Sequence, residues 1–464
     1  MTRRFPIAAL AFALALPPVS VVAQTAAPAV ADVPKAPAAP NTDTEKALEL
    51  FKQDKAGEAL ELLKRSSKLN PAQVLPKVQM AQWFLQANKG QNARVLTEQA
   101  ITEEPRHPEG YIWNGNIAFN EGRTTDAMLN LSMAMLMSED RRWDTDQKKR
   151  YLKEARYGLL SCYETRGDMA GAKEQLLGLL NDEPKNAVLR QRLASALFRQ
   201  DSVEEARKEL IQAFADDPTT DPPELVMARL WQARANNDTD AKRAADYRDR
   251  AEDWFKKAAS SHASSAKVFR EYALWLLDAG RTDAAVLYVD QATKLDEKGQ
   301  ETQAAKALQL LYKKDFAAAE VLLEAMYKES PSNLFAMGNL CLTLVESGDE
   351  AKRKRSIELG QALVGQHSKS PAAYSVYGYV LYKNNRLDEA EKALATASSA
   401  GQVSFDTAYY IARLLFDRAK YAEASSVLKG ALDAPHGGFV FRTEAKALAV
   451  EIAKKAPAEP KKTP

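Results

Sequence analysis

The chain has little of what metal or redox chemistry requires. It carries two cysteines and four histidines in 464 residues, and no CxxC, HExxH, GxSxG or phosphate-loop pattern. The acidic stretch Asn236-Asn237-Asp238-Thr239-Asp240 opens like a calcium loop, yet Ala241 stands where the turn needs Gly and Tyr247 where the bidentate Glu belongs. No catalytic residue, metal site or cofactor is expected, and an enzyme is not the reading. Net charge is also scarce, at +2, and such a balanced surface argues against nucleic acid as the main partner. Glycine is limited to 20 residues, while Ala, Leu, Glu, Lys and Arg are prominent, which suits long helices better than sheets. The chain reads as all-α.

Residues 1–23 have the three parts of a secretory signal peptide: Arg3 and Arg4, an apolar core over 7–16, and the ending Val21-Val22-Ala23. Ten apolar residues are too few to span a bilayer as a helix, and Pro17-Pro18 stops the segment. Cleavage after Ala23 is expected, by the general secretory route, because Phe5 stands one place too early for a twin-arginine signal. Loss of Arg3 and Arg4 then brings the net charge from +2 to near zero. No Cys near the cleavage site offers a lipid anchor. The expected location is the periplasm, with no integral membrane segment left after signal removal. Residues 24–41 form an Ala/Pro-rich linker and 456–464 a Pro/Lys tail, both burying too little to offset their ordering entropy.

Between these tails the sequence echoes itself. The best copy, GYIWNGNIAFNEGRTTDAMLNLSMAM over 110–135, has a small residue, an apolar or aromatic residue three places on, a turn residue, and an Ala that starts a second apolar stripe. Counterparts of that Ala are Ala59, Ala93, Ala127, Ala172, Ala206, Ala251, Ala285, Ala319, Ala390 and Ala424, spaced by 34, 34, 45, 34, 45, 34, 34, 71 and 34. The 71 hides one more copy, with Ser356 as the substitute. Gly122, Gly167, Gly280 and Gly348 mark turns between helices, and Pro71, Pro105, Pro184, Pro218 and Pro331 follow second helices. The pattern resembles the tetratricopeptide repeat (TPR), a pair of antiparallel helices about 34 residues long.

The resemblance implies a right-handed superhelical solenoid of about 11 TPR-like repeats over 42–436, with a C-terminal capping helix over 437–455. Within that last segment, 439–455 has the amphipathic pattern of a helix. The two spacings of 45 exceed the unit by 11, about three helical turns. The first surplus is expected between repeats over 139–150, the second as longer helices around 236–246. His107, His262, His367 and His436 all fall at junctions between repeats, too far apart along a stack to form one cluster. Cys162 and Cys341 sit about five repeats apart in first helices and read as buried structural thiols.

In this family the first helices line the concave face and bound peptides lie along it. Counting from the small packing residue, positions three before and one, four and five after share the inward stripe. The rule selects Ile112, Asn116, Phe119 and Asn120 around Gly115, and Gln191, Ser195, Phe198 and Arg199 around Ala194. It selects Ser375, Tyr379, Tyr382 and Lys383 around Gly378, and Tyr409, Arg413, Phe416 and Asp417 around Ala412. The aromatics either bind a ligand or pack neighbouring helices. Ile112 takes the place of the Lys with which some family members grip a C-terminal carboxylate, so that clamp is not carried over. The implied function is a non-enzymatic interaction scaffold of the bacterial cell envelope, binding a protein or peptide. A carbohydrate-binding or polysaccharide-export accessory role using the same aromatics is the alternative.

Overall fold

Two helix backbones can touch only where one of them presents a small side chain. Ala59, Ala93, Ala127, Ala172, Ala206, Ala251, Ala285, Ala319, Ala390 and Ala424 are all 0 % exposed, and so is Ser356. All eleven lie on the second helix of a pair. The same contact is seen from the partner side at Gly115, where an added Cβ would fall 2.8 Å from Leu131, and at Gly378, where it would fall 2.6 Å from Leu394.

The computed structural model describes residues 42–69, 74–399, 401, 403–434 and 437–455. The expected leader, linker and tail, together with Pro71 and His436, lie outside the described residues. Within them there are 23 helices and no strand, arranged in two compact units that divide between Pro223 and Glu224.

The N-terminal unit holds α1 (Thr42–Lys52), α2 (Ala56–Leu69), α3 (Pro76–Gln86), α4 (Gly90–Glu103), α5 (Pro108–Asn120) and α6 (Thr124–Ser138). It continues with α7 (Thr145–Arg166), α8 (Met169–Asp182), α9 (Ala187–Arg199) and α10 (Val203–Asp216). The C-terminal unit opens with α11 (Pro223–Asn237), α12 (Ala241–Ser261), α13 (Ala266–Asp278), α14 (Thr282–Leu295), α15 (Gln300–Tyr312) and α16 (Phe316–Glu329). It closes with α17 (Leu334–Glu346), α18 (Glu350–Gln366), α19 (Pro371–Lys383), α20 (Leu387–Ser398), α21 (Phe405–Asp417), α22 (Tyr421–Leu432) and α23 (Arg442–Lys455).

Odd-numbered helices are first helices, and short turns force the second to run back antiparallel. First helices also pack on the next first helix, α3 on α5 and α5 on α7 in one unit, and α13, α15, α17, α19 and α21 in succession in the other. They form the inner layer of each unit. Ten of the eleven turns within pairs share one device, a residue with positive φ: Asp54, Asn88, Gly122, Gly167, Asp201, Gly280, Lys314, Gly348, Asn385 and Ala419; the turn between α11 and α12 has none. Apart from Gly348, each stands five positions before the small residue of its second helix. Pro105, Pro184, Pro218 and Pro331 each follow the C-cap of a second helix, where a missing N–H breaks no helical bond.

Two elements differ from the sequence expectation, and one agrees with it. The first surplus is a loop only over 139–144, because Asp144 caps α7, accepting from the backbone N–H of Asp146 and Gln147 while Gln147 reaches back to it. Residues 145–150 are therefore helix, and α7 runs to 22 residues. The second surplus is found as expected, lengthening α12 to 21 residues behind an Asp240 N-cap. The last helix begins at Arg442 and not at Phe439, since 437–441 run as a non-helical strap against the inner layer.

The turn geometry makes a paired prediction. A side chain in the left-handed region is disfavoured by about 1 kcal/mol relative to glycine. Ala419 sits there at φ 57°, whereas Gly122 at φ 75° has open space around it. Ala419→Gly should raise stability and Gly122→Ala should lower it, each by roughly 1 kcal/mol in urea denaturation; equal signs for the two would refute the account.

Candidate functional site

In the N-terminal unit the inward stripe of α5 divides. Ile112 is 1 % exposed, packed among Ala134, Tyr151 and Ala155. The lengthened α7 lies on α5 and covers it, so Ile112 is a packing residue and not part of an open lining. Phe119 is half-buried against Ala118, Leu159 and Cys162. Asn116 is half-buried and Asn120 exposed, and neither side-chain amide has a hydrogen-bond partner among the described residues. Asn114, on the other side of the same helix, is engaged twice: its Oδ1 accepts from Thr97 at 3.2 Å and its Nδ2 donates to Asn130 at 3.1 Å. On α9, Phe198 is buried and Arg199 exposed.

In the C-terminal unit the stripe is covered by the chain itself. Tyr379 is 2 % exposed and stacks on Tyr410 with centroids 4.0 Å apart. Its hydroxyl donates to Glu346 at 2.7 Å, and Lys383 pairs with the same carboxylate at 3.0 Å. The Tyr382 hydroxyl donates to Asp417 at 2.5 Å and accepts from Arg413 Nε at 3.0 Å. Burial, then the Asp417 carboxylate, push the Tyr382 phenol up to about 12. Ser375 and Thr407 share a hydroxyl bond of 2.6 Å. Phe416 lies under Lys455 of α23, 5.0 Å from its centroid.

The cover over these rings is the strap, 437–441. Phe441 stacks on Tyr409 at 5.4 Å and lies 5.3 Å from Tyr379, with the Lys314 ammonium 3.9 Å from its own ring centroid. Phe439 meets Phe405 at 6.0 Å. The Gly438 N–H donates to the Asp278 carbonyl at 2.7 Å, and the Tyr312 hydroxyl donates to the Gly438 carbonyl at 3.2 Å. Two carboxyls border the strap, Asp278 and Asp406, each pushed up to about 7 by burial. Arg248 opposes that rise at Asp278; Lys314 and the backbone N–H groups of Phe441 and Val440 oppose it at Asp406. Beneath the strap's level, α17 is buried over all of 335–345, its Asn339 and Thr343 bonding back to carbonyls of their own helix.

Sequence reasoning missed this strap and its acids. The run Gly437-Gly438-Phe439-Val440-Phe441 held a signal, since two glycines and alternating aromatics suit extended chain better than helix. It also missed a buried polar knot at the start of α5. There Glu109 accepts from the Leu75 N–H at 2.9 Å and from Arg150 at 2.8 Å. His107 caps the helix and meets Trp143 edge-on at 4.7 Å.

The other histidines bond locally, His262 to Glu224 at 3.0 Å and His367 to the Ser332 carbonyl at 3.0 Å. Both cysteines are free and buried, and burial pushes the Cys162 thiol up to about 11. Asp238, of the calcium-like stretch, pairs with Arg243 at 2.9 Å. Among the described residues no three His, Cys, Asp or Glu side chains converge to hold a metal ion, and no helix is long and apolar enough to cross a membrane.

No family model and no curated protein matches the chain. Solved structures do. The chain is similar to yeast Tom70, at 13 % identity over 89 % of this chain and 95 % of that one, TM-score 0.32. It is similar to TTC0263, a thermophilic TPR protein of Thermus thermophilus, at 18 % identity over 41 % and 98 %, TM-score 0.35. A tetratricopeptide repeat protein of Parabacteroides merdae aligns at 11 % identity over 65 % and 99 %, TM-score 0.33. The TPR-like character of the fold is carried by this chain's own helix pairs and their register.

The polar knot gives a pH prediction. Burial raises Glu109 from the usual 4.5 to about 7, so the stability tied to its neutral form is complete below about 4.5 and lost as pH rises through about 7. His107, lowered from 6.5 to about 4 by burial and by Arg142 and Arg150, acts oppositely, its contribution being complete above 6.5 and lost as pH falls through about 4. Glu109→Gln should therefore gain stability relative to the parent between about pH 5 and about pH 8, read as the difference in urea midpoints. A flat difference would mean that Arg150 keeps Glu109 ionised throughout.

Proposed function

We propose that the chain is an exported, non-enzymatic scaffold of the bacterial cell envelope that holds an extended protein segment on the inner face of its first helices. The observation that supports this most is the unmatched pair Asn116 and Asn120 on α5, beside an Asn114 whose amide is engaged on both sides. Residues four apart share a helix face, and four residues of helix rise about 6 Å. An extended chain repeats every two residues over about 6.7 Å. Two such amides can thus bond alternate peptide groups of one strand, which is what an amide side chain with both a donor and an acceptor does well.

Export rests on the leader, with the mature chain beginning at Gln24. Peptide binding suits the rest of the molecule because many of the described ionisable groups are spent on one another, some in ion pairs between neighbouring helices, such as Arg190 with Glu209 and Asp216, or Arg192 with Glu164. Such pairs stiffen a surface without offering a reactive group.

A photo-reactive residue at position 120 should capture a partner in living cells, and one at the exposed outer position 129 should not. Asn116→Ala and Asn120→Ala should each weaken that partner by about 1 kcal/mol, roughly fivefold, with unchanged thermal midpoints. A double variant that binds as the parent does would sink the reading. Separately, the periplasmic fraction should contain a chain whose first residue is Gln24; an intact leader on cytoplasmic protein would refute the export step.

A further inference from the structure

The inner layer of the C-terminal unit is built to receive non-helical chain, and it already holds some. Residues 437–441 belong to no helix pair. Their contacts are those of a bound peptide: backbone N–H and C=O of Gly438 bond Asp278 and Tyr312, and Phe441 enters a box of Tyr379, Tyr409 and Tyr410. Gly438 is required there because an added Cβ would stand 2.0 Å from the Leu277 carbonyl oxygen and 2.6 Å from the Gly280 nitrogen. The fit is incomplete, however. Asp278 Oδ1 and Asp406 Oδ1 are buried without a hydrogen-bond partner among the described residues, whereas most buried polar atoms have one.

We propose that this surface is a peptide groove, that 437–441 is its resident pseudo-ligand, and that a partner segment with a residue lacking a side chain followed by aromatic, any residue, aromatic displaces it. The inference deepens the scaffold reading and rests on it, but uses a different surface. The second glycine lets the partner's backbone reach the end of α13, the two aromatics take the places of Phe439 and Phe441, and the unpartnered Oδ1 atoms of Asp278 and Asp406 favour an occupant that supplies donors beyond the Val440 and Phe441 N–H groups already at Asp406. Intramolecular tethering keeps the groove filled until such a segment competes.

The test uses the full mature chain and a labelled peptide of residues 437–443, Gly-Gly-Phe-Val-Phe-Arg-Thr, against a scrambled peptide. Gly438→Ala should expel the strap by backbone collision and bind the peptide at least tenfold more tightly than the parent, while the scrambled sequence stays weak. A variant that keeps its helical circular dichroism and binds no better than the parent overturns the proposal, as does equal binding of the scrambled peptide. Should Gly438→Ala lose helix content, hydrogen exchange of the parent decides. Excess peptide should strip protection from the amides of 437–441 and leave α13 and α21 protected; a strap that stays protected overturns the proposal. Either failure leaves the Asn116 and Asn120 surface untouched, so the two readings fail separately.

Discussion

Every other feature of this molecule depends on pairs of helix backbones being allowed to touch. One fully buried alanine, or Ser356, on each second helix permits that approach, and the closeness sets everything downstream: turns so tight that a left-handed residue is needed, second helices with a narrow apolar stripe, and first helices brought near enough to the next pair to form a layer of their own. Once the first helices form that layer, each unit has an inner and an outer surface. Polar side chains on the inner one must then find partners within the layer, in the chain's own non-helical segments, or elsewhere.

The two units answer that demand differently. In the N-terminal unit Asn116 and Asn120 are left with free donors and acceptors. In the C-terminal unit the same stripe is spent: Tyr379 on Glu346, Tyr382 on Asp417 and Arg413, and the rings on Phe441. An unpaired amide on an accessible surface is tolerable because water serves it, while a buried phenol without a partner is not. The difference in hydrogen bonding therefore follows from the difference in cover.

What could be read from the sequence is what depends on neighbours within one repeat. The alanine register, the glycine turns and the prolines after second helices are local, and their spacing exposes them. Asp201, Lys314 and Ala419 hold the same left-handed turn without any glycine to announce it, since the surrounding helix contacts impose the conformation. Burial of Ile112 was hidden because it depends on how far α7 extends, which in turn depends on an Asp144 cap outside the repeat. The strap was hidden for a stronger reason. Its partners, Asp278 and Tyr312, lie several repeats upstream, and no periodicity connects a segment to a place so distant in sequence.

That distance has a consequence for how the unit assembles. A stack of helix pairs makes nearly all its contacts within one repeat or with the next, so it can form early, quickly and from many starting points. The bond from the Tyr312 hydroxyl to the Gly438 carbonyl joins residues 126 apart, and closing a loop of that size adds an entropic barrier that no local contact lowers. The closing step must wait until residues 437–441 reach a layer already formed by helices far upstream of them. Until that segment docks, the unit has its helix pairs and an uncovered aromatic interior, and for that interval it is most exposed to association with other incompletely folded chains.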